Sequence, residues 1–157
     1  MDVSYNARLA NDQCSTVIDI SLTNEIPPGS TKGVRPDIDS IENSSCRTGS
    51  PGVWYRIFGN GSAFQASTCS SLTDHETSIQ VYSGKCGRLN CIDKEDDAVE
   101  SVCPDSKASA VNFKTERDVA YYILVTGRTA NSKDSGIFGL TVTKIVPPLE
   151  NECGKAS

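Results

Sequence analysis

The sequence predicts an all-β protein: an antiparallel, jelly-roll-like β-sandwich of eight to nine short strands, stapled by disulfides. Three observations carry this reading. Apolar residues alternate with a period of two along most short runs, which is the pattern of half-buried strands. Gly, Pro, Asn, Asp and Ser punctuate those runs at the short intervals of sheet-forming chains. Seven cysteines occur without a Cys-x-x-Cys pair, and the single His75 cannot complete a zinc set, so the cysteines read as disulfides of an oxidising compartment.

Taken in order, Ile18, Ile20 and Leu22 line one face of a first strand that Pro27-Pro28-Gly29 ends. Val53 to Phe58 is the strongest strand, with Val53, Tyr55 and Ile57 on one side and Trp54 and Phe58 on the other. Gly59-Asn60-Gly61 turns the chain into Ala63 to Thr68. Thr77 to Tyr82 leads into a turn at Ser83-Gly84, and Leu89 to Ile92 is its short partner. Ala110 to Phe113 precedes a polar turn over Lys114 to Asp118. Val119 to Val125 is apolar on both faces, so it belongs at the centre of a sheet. Asp134-Ser135-Gly136 opens a last strand, Ile137 to Val142, with Phe138, Leu140 and Val142 facing inward.

Length and charge bound the function. A chain of 157 residues holds one domain plus linkers, read as a leader over 1–8, a sandwich over 9–146 and a Pro147-Pro148 linker within 147–157. The net charge of −5 supplies no basic stripe, which argues against nucleic acid. No apolar run approaches the length of a membrane span, and residues 1–5 do not form a signal peptide.

Ala10-Asn11-Asp12-Gln13-Cys14 is echoed by Leu149-Glu150-Asn151-Glu152-Cys153, one globular domain later. The echo reads as the opening of a following copy, hence a tandem array with Pro147-Pro148 as a stiff spacer. Cys153 then bonds within the following module, and six cysteines remain for this one. The expected pairing is Cys14–Cys46, Cys69–Cys103 and Cys86–Cys91, in the order the strands are expected to meet. The rival, Cys14–Cys153, would staple the ends of one domain together.

Catalysis finds little support. A Ser-His-Asp set would have to recruit His75, which stands in the polar run Thr73 to Glu76 and reads as a solvated loop residue, and no nucleophile elbow accompanies it. No cofactor is expected beyond one open question, calcium. Asp93-Lys94-Glu95-Asp96-Asp97 gathers carboxylates in a predicted loop, and Asp74, Asp93, Asp96 and Asp97 are the candidate oxygen ligands. The simpler alternative is a solvated acidic loop that keeps the sandwich soluble. Trp54 reads as a core aromatic covering a disulfide rather than a sugar platform, and one of Tyr121 and Tyr122 is expected at the surface. Asn43-Ser44-Ser45 and Asn60-Gly61-Ser62 are N-glycosylation sequons.

A longer set of residues carries a family resemblance. Asn11-Asp12-x-Cys14 is followed by Gly29-Ser30-Thr31, Cys46, and Pro51-Gly52-Val53-Trp54-Tyr55. Then come Ala66 to Cys69, Thr77 to Cys86, Asp96-Asp97, Tyr121 to Gly127 and Gly136 to Val142. In this order they resemble the bacterial pre-peptidase C-terminal domain and its cysteine-richer relatives in secreted and surface proteins of bacteria and microalgae. The resemblance covers residues 9–146. It implies a non-catalytic jelly-roll-like accessory, often in tandem, used in adhesion or in binding matrix protein or carbohydrate. Where many relatives carry an Asp-Thr pair before the Ile-x-Val-Tyr strand, this chain has Asp74-His75-Glu76-Thr77, which leaves the role of Asp74 open. The expected function is therefore a structural or adhesive module of a secreted tandem-repeat protein at the cell surface, fibre-forming in one version, with neighbouring copies as partners. The alternative is an accessory that holds a secreted hydrolase on polysaccharide or protein.

Overall fold

The computed structural model describes residues 10–35, 51–95, 107–128 and 135–145, with side chains of 10 and 93–95 excepted. Two single 3-10 turns, Ala10–Asp12 and Cys14–Thr16, precede ten strands. These are β1 (Ile18–Asp19), β2 (Gly29–Ser30), β3 (Gly52–Phe58), β4 (Ala63–Ser67) and β5 (Thr77–Lys85). They continue as β6 (Arg88–Glu95), β7 (Ala110–Lys114), β8 (Ala120–Gly127), β9 (Ile137–Phe138) and β10 (Thr141–Lys144).

Five strands make one sheet in the order β1-β3-β8-β5-β6. Facing it are a three-stranded sheet, β10-β4-β7, and a two-stranded one, β2-β9. The chain changes sheets at every step but β5 to β6, which is the jelly-roll-like habit expected. All pairings are antiparallel except β1 with β3, which is parallel and spans only Ile18↔Tyr55 and Asp19↔Arg56.

Period-two alternation builds the main core. Val53, Tyr55 and Ile57 of β3, Ile79 and Val81 of β5, and Tyr121, Ile123 and Val125 of β8 point inward from the large sheet. Phe64 and Ala66 of β4, Val111 and Phe113 of β7, Phe138, Leu140 and Val142 meet them from the other side. Tyr55 on Phe138 packs edge to face across this seam, and Phe64 on Phe113 does so within the three-stranded sheet.

The large sheet is buried on its outer face as well. Trp54, Tyr82, Leu89, Tyr122 and Leu124 form a second core with Cys14, roofed by the N-terminal turns. That explains why β8 is apolar on both faces and sits in the middle of the five strands.

Several expectations change. The run Ile18 to Leu22 is not a strand with one inward face: only Ile18–Asp19 pairs, Ile18 and Leu22 are exposed, and Ile20 alone packs on the core. Tyr121 and Tyr122 do split between faces, but both are buried because each face has its own core. The β5–β6 turn comes at Cys86-Gly87 rather than Ser83-Gly84, since Gly84 pairs with Leu89 and Lys85 with Arg88; Gly84 and Gly87 both take positive φ. The last predicted strand divides at Gly139-Leu140 into β9, paired with β2, and β10, paired with β4.

Candidate functional site

The Asn-Asp-x-Cys motif forms a buried polar constellation at the start of the described chain. Asn11, Asp12 and Cys14 are all buried, which three of the four residues in a polar loop motif would not be without partners. The Asn11 side-chain amide donates to the Trp54 carbonyl at 3.1 Å, anchoring the first turn on β3. The Asp12 carboxylate accepts two hydrogen bonds from the Arg35 guanidinium, at 2.9 and 3.1 Å, and a third from the Arg35 backbone N–H at 2.9 Å. Burial raises the Asp12 pKa, but the Arg35 hydrogen bonds and charge outweigh it and hold the carboxyl below its ordinary value. Cys14 bonds to Cys86 at the β5–β6 turn, with Cα atoms 5.8 Å apart and a sequence separation of 72.

That bond overturns two expected pairings, Cys14–Cys46 and Cys86–Cys91. Cys86 and Cys91 flank one hairpin, but the outer face of the large sheet brings Cys14 onto Cys86 across the Trp54 ring cluster instead. Sequence proximity is a poor guide to bonding where a terminal segment folds back over a sheet. Cys69 and Cys91 are also disulfide-bonded; Cys46, Cys103 and Cys153, and with them the expected Cys69–Cys103 pair, lie outside the described residues. Trp54 is buried in the same apolar cluster as Cys14, against which Cys86 packs.

A second constellation centres on His75. It is not a solvated loop residue: it is buried, with Nδ1 3.1 Å from the Asp74 carboxylate and Nε2 3.5 Å from the Thr31 hydroxyl. Asp74 Oδ1 also accepts the Ile137 N–H at 3.0 Å, and the Asp74 N–H donates to the Ile137 carbonyl at 3.1 Å. Burial raises the Asp74 pKa, while the bonds from His75 and Ile137 and the charges of His75 and Lys32 together lower it below the usual range. Gly136 lies so close to Asp74 and His75 that a Cβ would strike both. Hydroxyl, imidazole and carboxylate are in the order of a nucleophilic triad, yet the geometry is that of a latch. Thr31 is buried, its oxygen accepts the Gly136 N–H at 3.1 Å, and its hydroxyl stands 3.5 Å from Nε2, so it joins the His75 ring to the backbone before β9. The latch ties β2 and β9 to the segment before β5.

A buried hydroxyl relay continues from it, and sequence reading missed it because Ser and Thr there look like loop filler. Thr68 and Thr77 share a hydrogen bond of 2.7 Å, Ser109 N–H donates to Thr68, and Thr73 donates to the Thr68 carbonyl at 2.6 Å. Together they join the ends of β4, β5 and β7.

Of the four candidate calcium ligands only Asp74 has a described side chain. Asp93 to Glu95 lie in strand β6, opposite Val81 to Ile79, not in a loop, because β6 runs on beyond the predicted Ile92. Asp74 is held by His75 and Ile137, and Asp96 and Asp97 lie outside the described residues. Among the described residues no three His, Cys, Asp or Glu side chains gather. Of the sequons, Asn60 is exposed on the β3–β4 turn and Asn43 lies outside the described residues.

One open cleft of about 450 Å³ runs along β10, the edge strand of the three-stranded sheet. Ile26, Pro27, Pro28 and Leu72 give it apolar walls, and Asn24 and Glu25 add polar groups. Among the described residues no helix is long and apolar enough to cross a membrane.

No protein-family model and no curated protein matches the chain. Among solved structures, the chain is similar to CorA, a surface-associated copper-binding protein of Methylomicrobium album BG8 important in copper acquisition. The TM-score is 0.50 over 85% of this chain and 100% of that one, with 9% identity. At that identity the likeness shows a shared β fold.

Proposed function

We propose that the chain is a non-catalytic structural or adhesive module of an exported surface or matrix protein, built to be repeated. The observation that carries the reading is the buried Asn11-Asp12-x-Cys14 staple with its Cys14–Cys86 bond. A disulfide at the heart of the second core calls for an oxidising compartment. Three side chains that clamp the start of the chain to the sheet give a module resistance to being peeled open from its N-terminus. The echo at Leu149 to Cys153 repeats the cysteine, with Glu150 and Asn151 in the places of Asn11 and Asp12. Surface association of the CorA-like fold elsewhere agrees with this assignment.

Antibody raised against the chain should label intact source cells or their shed matrix without permeabilisation. Labelling that appears only after permeabilisation would overturn the proposal. The runner-up, an accessory that holds an exported hydrolase on polymer, draws on the cleft beside β10. Pull-down with insoluble polysaccharide and matrix protein, compared between the native chain and Leu72→Asp, separates it: binding lost in the variant favours the accessory.

A further inference from the structure

β10 is the outer strand of its sheet, with β4 as its one strand neighbour among the described residues. The Ile145 N–H donates to the Ala63 carbonyl, so Ile145, Thr143 and Thr141 are the residues that exchange hydrogen bonds with β4. The N–H and C=O groups of Val142 and Lys144 therefore point away from β4, to the free edge along which the cleft runs. Among the described residues nothing bonds them. Leu72 stands in the cleft wall 49% exposed, and Pro27 and Pro28 there have no N–H with which to complete the ladder. An unpaired edge of this kind is a template for a further strand.

The sequence holds a matching run. Residues 1–9 alternate without a break: Met1, Val3, Tyr5, Ala7 and Leu9 are apolar, while Asp2, Ser4, Asn6 and Arg8 are polar. In an extended chain the two sets face opposite ways, so the run offers one side to an apolar groove and the other to water. Its charges suit the place as well. Laid antiparallel on β10, its Asp2 end comes to the Lys144 end of the strand, and Arg8 finds an acid, Glu25, in the cleft wall. The run joins Ala10 directly, and Asn11 and Cys14 hold that turn on the outer face of the large sheet. β10 lies in the sheet beyond the inner core. Sheets pack about 10 Å apart and an extended chain advances about 3.3 Å per residue, so passing the roof and both sheets within one molecule would consume most of the run.

From these facts we infer that β10 receives residues 1–9 of a second copy of this chain as an added antiparallel strand. Backbone hydrogen bonds at Val142 and Lys144 supply the attachment, and the apolar side of the run covers Ile26, Pro27 and Leu72. Each copy carries one donor run and one acceptor edge, on different parts of its surface. The contact is therefore heterologous and propagates head to tail instead of closing as a two-fold pair. The inference rests on the module reading above for the nature of the partner, a neighbouring copy, and adds the surface and the segment that join them.

The test uses the full chain and a synthetic peptide of residues 1–9. Sedimentation of the full chain should show association that grows with concentration, and Tyr5→Asp, which breaks the apolar side of the run, should stay monomeric. The free peptide should bind the Tyr5→Asp chain one to one and protect its Val142 and Lys144 amides from hydrogen exchange. A peptide of the same composition with its alternation scrambled should not bind. Adding Lys144→Pro to the Tyr5→Asp chain should weaken peptide binding roughly five- to tenfold. Lys144 is exposed and its N–H faces away from β4, so proline there spares the β4 ladder. Monomers at every concentration, or peptide binding that Lys144→Pro leaves unchanged, overturn the inference. So does a monomeric full chain whose Val142 and Lys144 amides are already protected, since the run would then lie on its own β10. None of these results bears on surface labelling of source cells, so failure here and failure of the exported reading are told apart.

Discussion

Asp12 shows how one side chain converts a loop into a fastening. Its carboxylate is buried, but Arg35 reaches it from the solvent side and remains largely exposed, so the pair keeps one hydrated partner. Removing the acid therefore strands no buried cation, and the cost is that of a charge-assisted hydrogen-bond set rather than of a broken buried pair. Asp12→Asn should lower the unfolding free energy in urea by about 1.5–3 kcal/mol near neutral pH. Because the folded pKa lies below the unfolded one, this contribution is complete above the unfolded value of about 3.9 and is lost as pH falls through the lower folded value. The gap between wild type and variant should thus close in acid, and a gap of constant size down to about pH 2 would show that the charge of Asp12 is not what holds Arg35. The spacing of Asn11, Asp12 and Cys14 marked them as a unit in the sequence. Their burial did not show, since Arg35 and Trp54, which satisfy them, are remote in the chain. His75 misleads for the same reason: its polar neighbours suggest water, while Thr31 and Gly136 close over it from distant segments.

At the scale of strands, β3 and β8 read correctly because burial on both faces leaves an unbroken apolar run, and β4 and β7 because alternation marks one buried face. Two-residue strands such as β1, β2 and β9 carry no periodicity to read, and their pairing is set by neighbours. Gly52 is a further case. It opens β3 opposite Thr126, and a Cβ there would strike the Val125 carbonyl and the Thr126 methyl group. The obstruction is backbone of the central strand, which cannot swing aside as a side chain would. Gly52→Ala should cost about 1–3 kcal/mol, as overpacking of a close-packed contact does, and should shift the thermal midpoint with no change in the disulfide-mapped peptides. A variant as stable as the parent would mean that β3 and β8 part more readily at that end than their register implies. The Cys14–Cys86 bond belongs to the same scale, since it ties the N-terminal turns to the β5–β6 hairpin. Closing a loop of 72 residues should contribute about 4 kcal/mol, and the double variant Cys14→Ala with Cys86→Ala should lose roughly that amount in urea unfolding.

Across the whole molecule, two apolar clusters lie on opposite faces of one sheet, and they are sustained differently. The inner one is closed by two facing sheets and many interlocking side chains. The outer one is roofed by short turns held through Asn11, Asp12 and a single described disulfide. Stability in such an arrangement need not be uniform, and the region with fewer covering elements opens first. The one tryptophan of the chain, Trp54, stands in the outer cluster on Tyr82, so its emission reports that cluster alone. Mild reduction at neutral pH should move Trp54 emission to longer wavelength while the far-ultraviolet β signal, carried by strands packed on the inner core, stays. Heating the reduced chain should then give a later, separate loss of that signal. A single transition seen by both probes would mean that the roof and the sandwich are one cooperative unit, and that the sheet cannot keep its inner core once its outer face is wetted.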